Sequence, residues 1–515
     1  MKLRYVFSEM PYAVALSYPY NASRCAFCAA EAVGESGPKS PCKRGCQLAV
    51  YCSDTCREND WPFHKNECKA VGQGKNPGKT DTANLGVRLI GRIISRYQLD
   101  KGVASLSLDF PSHMLQDRCF DDLMSHERDL RRSSSHEEAY KEVEEAFYNF
   151  FMETELGSVP KSKLRKFFYR LSINGFSLNV RMKPQPDATE ELGEVIYLNV
   201  SRFNHSCRPT CLYRFDGSRI VIEYVDHSGS DDVSPMQYTK KEFENLTLQY
   251  GYCWYYGVTY PLTEQRIDSL KPRYFFTCRC ELCSDKRLDR IQHDAAPVEC
   301  IECNMPFVWK RPVLIGSMKL KRMCKCGKEK GSKSENPKSL ITSRFGKEAP
   351  KNVKELIQNW KKTMEISNEK RARIGIKWCK SILDMAETYW HPVYNVRLGQ
   401  LNERLFSAMQ EVFVKNETEF VGTAHDLDLM LRSGETMLNV YTTYFEPYMI
   451  TVASYAVDVA SLYKLRAMSP EDNERCQHWF HFAMKVWMER GDQESVQFLQ
   501  QKAEGPSMTW RLKTD

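Results

Sequence analysis

The sequence predicts an α+β protein with a small metal-dependent insert near its start and a helical region at its end. Residues 1–24 and 171–226 alternate apolar and polar residues, as in EVIYLNV and RIVIEYV, which is typical of strands. Helical periodicity dominates from about 83 to 170 and again from about 350 onward. Seven cysteines are concentrated between positions 25 and 68, which indicates a metal-stabilised segment between the first strands and the first long helix.

Length and composition indicate a folded protein of several domains. A chain of 515 residues exceeds what one hydrophobic core serves, about 250–300 residues, so several domains are expected. A hydrophobic fraction of 42% with 27% charged residues excludes wholesale disorder. The sequence shows no apolar run of about 18 residues and no secretory signal, so we expect no membrane partner and a location in the nucleus and cytoplasm, where thiols stay reduced. The net charge of +7 permits a nucleic-acid partner but does not indicate one.

Local patterns place the elements in order. Pro11 separates two short strand patterns, and residues 71–80 have the Gly, Pro and Lys content of a linker. A Glu-rich helical run follows at 136–155, strand character begins at 171, and a further strand is predicted at 245–250. The first long helix carries an apolar stripe at i+4 spacing, formed by Leu85, Leu89, Ile93 and Tyr97.

The first cysteine cluster contains ligands for two zinc ions. Eight soft or borderline ligands occur in pairs within 44 residues, and tetrahedral zinc takes four. The segment is too short to build a core, so metal binding must supply much of its folding free energy. The eight residues are Cys25, Cys28, Cys42, Cys46, Cys52, Cys56, His64 and Cys68.

This cluster resembles the MYND zinc finger through the Tyr51-Cys52 step, Asp60-Trp61, His64-Lys65 and Cys68. The resemblance implies interleaved ligation, and it implies proline-rich peptide partners, with DNA as a weaker candidate. One ion would be held by Cys25, Cys28, Cys52 and Cys56, and the other by Cys42, Cys46, His64 and Cys68. The spacer between Cys42 and Cys46 has one residue more than the family usually has, and we expect Gly45 to absorb it as a bulge.

Two later motifs extend the resemblance. Asn204-His205-Ser206-Cys207 follows a strand, and YFFTCRCELC occupies 274–283. Together with the preceding finger, they resemble the SET domain of the SMYD family of protein-lysine methyltransferases, in which a MYND finger is inserted into the SET domain. The resemblance covers residues 1–285 with specific motifs and continues more weakly to the C-terminus.

The resemblance implies S-adenosylmethionine and Zn²⁺ as cofactors. The matching cofactor-binding residues are Asn174, Asn204, His205 and Phe276. The matching ligands of a third zinc ion are Cys207, Cys278, Cys280 and Cys283.

Two tyrosines are candidates for the catalytic residue. Tyr250 ends the strand pattern NLTLQY, which fits the family strand except for Asn245 in place of Glu. Tyr256 stands at the family spacing before Thr263-Glu264-Gln265-Arg266. We favour Tyr250 because Leu246 and Leu248 alternate with it, and Tyr256 remains the alternative.

A fourth zinc site is a further expectation. The pairs Cys300-x2-Cys303 and Cys324-x-Cys326 have the separation of a zinc ribbon, with ordinary reduced thiols as the alternative. The lysine-rich stretch from 309 to 338 around the second pair is either a solvated face or a contact for acidic partners.

These motifs define an expected division and two alternative functions. The leading function is a protein-lysine N-methyltransferase acting on histone or non-histone proteins. The alternative is a catalytically inactive SET/MYND scaffold or transcriptional regulator, favoured by the expected lack of the Gly-x-Gly strand pair with which the family opens. The expected division is an N-terminal part of SET at 1–24, the finger at 25–68, a helical SET insert at 69–170, the SET core at 171–270, a post-SET zinc segment at 271–285, a Cys/Lys-rich segment at 286–345 and a helical, tetratricopeptide-like domain at 346–515.

Overall fold

The structure, a computed structural model, divides the chain into two compact units. One comprises Met1–Gly251 and Ser269–Cys278, and the other comprises Tyr252–Asp268 and Arg279–Asp515. The described residues are 2–34, 37–73, 82–101, 118–181, 189–226, 239–248, 262–285, 308–310, 321–323, 351–352, 354–355, 358–359, 372–389, 395–415, 419–444, 450–467, 469–489 and 492–512.

The strands up to residue 248 are short and interleaved along the chain. They are β1 (Lys2–Glu9), β2 (Ala13–Leu16), β3 (Val33–Gly34), β4 (Gly37–Pro38), β5 (Ser40–Pro41), β6 (Val50–Tyr51), β7 (Gly175–Arg181), β8 (Thr189–Ile196), β9 (Asn204–His205), β10 (Cys211–Asp216), β11 (Arg219–Asp226) and β12 (Thr247–Leu248). Two three-stranded antiparallel sheets result, in the orders β1-β11-β10 and β2-β8-β7. Their apolar faces share one core, because alternate residues of each strand point to the same side.

Helices alternate with these strands along the chain of the first unit. They are α1 (Asp54–Gly72), α2 (Thr82–Asp100), α3 (Glu127–Leu130), α4 (Ser134–Phe151), α5 (Lys161–Asn174) and α6 (Lys240–Glu244), and they are followed by α7 (Thr263–Tyr274) and α8 (Glu281–Ser284). Helix α2 packs against α1, α4 and α5. The apolar stripe predicted on α2 is buried at Leu89 and Ile93, which join Phe147 and Phe151 of α4 in one core.

Two differences from the sequence analysis concern element boundaries. The strand pattern assigned from 171 onward begins only at Gly175, because residues 171–174 complete helix α5. Ser172 donates from its side chain to the Phe168 carbonyl, four residues earlier, as serines within helices often do. The predicted strand at 245–250 is a strand only at Thr247–Leu248, because Asn245 and Leu246 form the turn that ends helix α6, and residues 249–250 lie outside the described residues.

The second unit is a succession of helices with short strand pairs. Its later helices are α9 (Ala372–Tyr389), α10 (Val396–Phe413), α11 (Ala424–Tyr444), α12 (Ile450–Arg466), α13 (Pro470–Glu489) and α14 (Gln493–Glu504). Its strands are β13 (Val308–Lys310), β14 (Lys321–Met323), β15 (Val414–Lys415), β16 (Glu419–Gly422) and β17 (Thr509–Leu512). Each helix from α9 to α14 packs against the next, as the helical pattern predicts. Strand β16 also pairs in parallel with β17, which the sequence did not indicate.

Helix α10 is buried on nearly all sides and carries a buried carboxyl group. Glu403 is 5% exposed and accepts hydrogen bonds from the hydroxyl groups of Tyr441 and Tyr455, the latter at 2.9 Å. Burial raises the pKa of Glu403 to about 7, although both tyrosine hydroxyl groups oppose this shift. No helix among the described residues is long and apolar enough to cross a membrane.

Candidate functional site

The first set of finger cysteines comes together where β6 leads into α1. Ser53 caps α1, and its hydroxyl oxygen accepts from the backbone N–H of Cys56 at 3.2 Å, which turns the chain between Cys52 and Cys56. The Cys28 sulfur lies 3.6 Å from that of Cys52 and 3.9 Å from that of Cys56. With Cys25, these sulfurs form a group within 4.8 Å, close enough to surround one tetrahedral ion.

The second set is more deeply buried. Sulfur atoms of Cys42 and Cys68 lie 3.7 Å apart, and the Cys46 sulfur lies 3.2 Å from Nε2 of His64. Gly45 adopts φ +66°, a left-handed conformation that suits glycine and accommodates the extra residue between Cys42 and Cys46. The structure therefore brings together both groups of four that the resemblance implied.

The chemistry of both sets suits a zinc ion. Zinc binds thiolates rather than thiols, so a lowered thiol pKa favours metal binding. The hydrogen bond between Cys25 and Cys28 lowers the pKa of Cys25 to about 5 and raises the pKa of Cys28 well above its usual range, so Cys25 is the thiolate that this pair favours before metal binds. Burial raises the pKa of Cys42, but hydrogen bonds from His64 and from the backbone N–H groups of Arg44 and Cys46 together outweigh it and leave that pKa at about 6.

A buried carboxylate supports the His64 ligand from behind. Oε2 of Glu67 lies 2.9 Å from Nδ1 of His64, so His64 can keep Nε2 directed at the cysteine sulfurs. Burial alone would raise the pKa of Glu67, but Arg92 and Arg88 beside it hold that pKa well below its usual range. The group is therefore a carboxylate at neutral pH and a hydrogen-bond acceptor for the imidazole N–H.

The motif Asn204-His205 forms strand β9, next to β12. The two strands run parallel, with Thr247 opposite Asn204 and Leu248 opposite His205, and the Ser206 N–H donates to the Leu248 carbonyl at 2.9 Å. Leu248 is fully buried and anchors this pair in the core. The side chain of Asn204 is exposed and makes no hydrogen bond to another described residue, so its amide is available to a ligand.

Aromatic side chains approach this motif from the segment after α7. The ring of Phe276 lies 5.6 Å from that of His205, and the ring of Phe275 lies 5.3 Å from that of His126. Phe275 adopts φ +58° and His126 adopts φ +44°, both unusual for residues with a β-carbon. Strained backbone of this kind concentrates at binding sites, which is consistent with a ligand site at this point.

Asn174 ends helix α5 and connects to the same region. Its Nδ2 donates to the carbonyl oxygens of Arg170 and Met124, each at 2.8 Å. Met124 lies two residues before His126, so Asn174 fixes the segment that carries the His126 ring. Both amide hydrogens are thus engaged, and only Oδ1 remains for a ligand.

The third set of cysteines adjoins the Asn204-His205 motif. The Cys207 sulfur lies 3.8 Å from that of Cys278 and 3.3 Å from Nε2 of His205. With Cys280 and Cys283, these sulfurs form a group within 4.8 Å, the third group suited to a zinc ion among the described residues.

Several predicted residues lie outside the described residues. These are both tyrosine candidates, Tyr250 and Tyr256, and the four cysteines proposed for a zinc ribbon, Cys300, Cys303, Cys324 and Cys326. The antiparallel pair β13-β14 is described between the two cysteine pairs of that segment.

Sequence reasoning missed one residue that supports the site. Glu9 is buried, and its carboxylate accepts from the N–H groups of Leu198, Asn199 and Val200 at 2.9–3.0 Å. It thereby holds the turn that leads into Asn204. The signal was a charged residue at the end of an apolar strand, directly before Met10-Pro11.

Comparison with known proteins agrees with the finger and finds relatives whose similarity extends beyond it. Residues 25–68 match the MYND finger family. N-lysine methyltransferase SMYD2 of Bos taurus is 28% identical over 311 residues, 58% of this chain and 58% of its own length. The human protein of that name is 28% identical over 293 residues, 55% of this chain and 56% of its own length. SMYD2-A of Danio rerio is 25% identical over 317 residues, 60% of this chain and 62% of its own length.

The chain therefore spans somewhat under two thirds of the length of each of these relatives. The finger carries eight ligands in two interleaved groups, and the relatives share sequence well beyond the finger's 44 residues. On these grounds, the chain is similar to the SMYD family over a little more than half of its length.

Proposed function

We propose that this protein transfers a methyl group from S-adenosylmethionine to a lysine side chain of a protein substrate. The observation that carries the proposal is the grouping of the adjacent residues Asn204 and His205 with Phe276, which lies far away in sequence, next to the Cys207–Cys278 pair. The names of the relatives, N-lysine methyltransferases, support the same reaction.

The residues present fit such a cofactor. An exposed amide at Asn204 offers both donors and acceptors to a polar group, and the ring of Phe276 offers a flat apolar surface to a purine. When bound, S-adenosylmethionine supplies a methyl group on a positively charged sulfur. The contribution of the chain is to orient that group and to exclude water, since an aligned attack needs little covalent help from the protein.

His205 is held by several of its neighbours. Its backbone is fixed by strand pairing with Leu248, and its ring lies between Phe276 and the Cys207 sulfur. The target lysine has to lose its proton, because its ordinary pKa is about 10.4. A dry, aromatic channel lowers that pKa, and we expect Tyr250, or alternatively Tyr256, to line it and orient the methyl group.

Cofactor binding is the direct test. We would titrate S-adenosylmethionine into the zinc-loaded full chain by calorimetry and compare Asn204→Ala with Asn439→Ala, a change at an exposed asparagine of α11. Binding that Asn204→Ala weakens at least tenfold and Asn439→Ala leaves unchanged supports the site. The absence of binding to a folded, zinc-loaded chain would contradict the proposal and favour the inactive scaffold.

Substrate and partners belong to the same proposal. Histone and non-histone proteins are both candidate substrates, and transfer of a labelled methyl group to lysine-containing peptide arrays would distinguish them. Proline-rich peptides are the partners we propose for the finger, with nucleic acid as a weaker candidate. A location in the nucleus and cytoplasm is proposed on the same grounds and is tested by imaging a tagged full chain.

A further inference from the structure

A buried network of charges joins the finger to the long helix that follows it. Arg92 of α2 donates to Asp60 of α1, with Nη1 2.8 Å from Oδ1. It also donates to Glu67, with Nη2 2.8 Å and Nε 3.0 Å from Oε2. Arg88, one turn earlier in α2, places Nε 3.4 Å from Oε1 of Glu67. All four residues are at most 5% exposed.

The network connects to both zinc groups of the finger. Glu67 contacts Nδ1 of His64, a ligand in the second group, and directly precedes Cys68, another ligand of that group. Asp60 accepts from the hydroxyl of Tyr51 at 2.9 Å, and Tyr51 directly precedes Cys52 of the first group. The charges of two arginines and two carboxylates balance, which is the condition under which charged groups are tolerated in a core.

The network also connects to the sheet. Nη1 of Arg88 donates to the carbonyl of Leu16 at 2.8 Å, at the end of strand β2. Helix α2 therefore links the finger on one side with the β2-β8-β7 sheet on the other. Arginine suits this role because its planar group donates in several fixed directions at once.

We propose that Glu67 positions the His64 ligand, and that Arg92 makes zinc binding at the second group and the docking of α2 one cooperative step. Without Arg92, the buried carboxylates of Asp60 and Glu67 lose their main partner, and the orientation of His64 loses its support. Without the zinc ion, His64 keeps its contact with Glu67 but loses the partner that fixes its Nε2. Helix α1, which carries the carboxylates that Arg88 and Arg92 bind, therefore becomes less stable. Zinc loss at this group should therefore loosen the helical insert and not the finger alone.

The test measures zinc retention and the order of α2 separately. Zinc release from the full chain is followed by competition with a chromogenic chelator, and hydrogen exchange is followed in peptides from 82–100. We expect Glu67→Gln to weaken the binding of one zinc ion about 10–100-fold, as the loss of a supporting group typically does, while the other ions are retained. Arg92→Met should do the same and also speed exchange across α2.

A matched control comes from the same helix. Arg96 donates to the Tyr12 carbonyl at 2.8 Å and pairs with Asp100, and it makes no hydrogen bond to Asp60 or Glu67 in the described structure. Arg96→Met therefore removes an arginine from α2 and should leave zinc release unchanged. Equal effects of Arg92→Met and Arg96→Met on zinc release would overturn the proposal, because any disturbance of α2 would then suffice.

Two further measurements decide the matter if Arg92→Met fails to fold. Arg92→Lys keeps the charge but loses the forked geometry, and it should weaken the same single zinc ion. In the unmodified protein, stepwise chelation should speed exchange in α2 together with the loss of that ion. Exchange in α2 that stays constant while the ion leaves would contradict the coupling.

Discussion

The buried carboxyl group of Glu403 makes the stability of the helical unit dependent on pH. We expect Glu403→Gln to make this unit more stable than the native sequence at pH 8. The native pKa is about 7 against an ordinary 4.5, and each unit corresponds to about 1.4 kcal/mol. Ionised Glu403 should therefore cost about 3 kcal/mol of folding free energy above pH 7.

The direction in which stability changes with pH depends on whether the folded or the unfolded chain releases the Glu403 proton first. Below pH 4.5, both the folded and the unfolded chain keep the proton on Glu403, so the group has no effect. Between pH 4.5 and 7, the unfolded chain has released it and the folded chain has not, so native stability falls as the pH rises. Above pH 7, Glu403 is ionised in both the folded and the unfolded chain, and the loss of native stability is complete. The neutral amide of glutamine removes this fall and still accepts a hydrogen bond from a tyrosine.

Unfolding of the full chain measured from pH 5 to 8 is the assay, with hydrogen exchange in peptides of α10 as the local measure. For a unit of this size, about 3 kcal/mol corresponds to a shift of about 6–12 °C in melting temperature. Glu411→Gln changes an exposed glutamate of the same helix and serves as the control. If Glu403→Gln and the native sequence show parallel pH profiles, Glu403 does not carry this pH dependence.

Three other outcomes are expected. Gly217→Ala should destabilise the first unit by about 1–2 kcal/mol. The reason is that Gly217 has φ +58° and an added β-carbon would lie 2.3 Å from the Cys28 carbonyl oxygen. An unchanged melting temperature in thermal unfolding would contradict this prediction. Glu9→Gln should lower the free energy of unfolding by about 1–3 kcal/mol, because the amide group of glutamine would face the backbone N–H of Val200. The affinity for S-adenosylmethionine should fall as well, and an unaltered affinity would show that Glu9 does not hold the turn that leads into Asn204. Phe147→Ala should lower the free energy of unfolding, measured with urea, by about 3–5 kcal/mol, because it leaves a cavity in the helical core. A loss below about 1 kcal/mol would refute the packing described.

The finger was accessible from sequence because its ligands are defined by residue type and spacing. Eight cysteine and histidine residues in pairs leave few arrangements, and the resemblance supplied the interleaving that the structure shows. Gly45 was likewise expected to absorb the extra residue of its spacer as a bulge, and its positive φ is consistent with that role. Motifs of this kind report local geometry, and local geometry is what a sequence specifies most directly.

The buried arginines were not accessible in the same way. Arg88 and Arg92 repeat at i+4 within VRLIGRIISRY, and a charged residue on a helix is normally expected on its exposed face. Their burial depends on Asp60 and Glu67, which lie between 21 and 32 residues earlier in the chain. The parallel pairing of β16 with β17 was missed for the same reason, since no local pattern reveals a partner so far along the chain.

The pairing of β1 with β11 has a consequence for the order of folding during synthesis. Lys2 pairs with Asp226, so strand β1 has no pairing partner until a strand more than 200 residues later has been synthesised. The finger's last ligand, Cys68, is made roughly 150 residues before that partner, which at 5–20 residues per second corresponds to about 8–30 s. During that interval the finger can capture its metal and helix α2 can dock, while the exposed edge of β1 remains available to a chaperone or to a wrong strand. Until β11 has been made, the metal-bound finger and the docked helix α2 are therefore the parts of the first unit that can already be ordered.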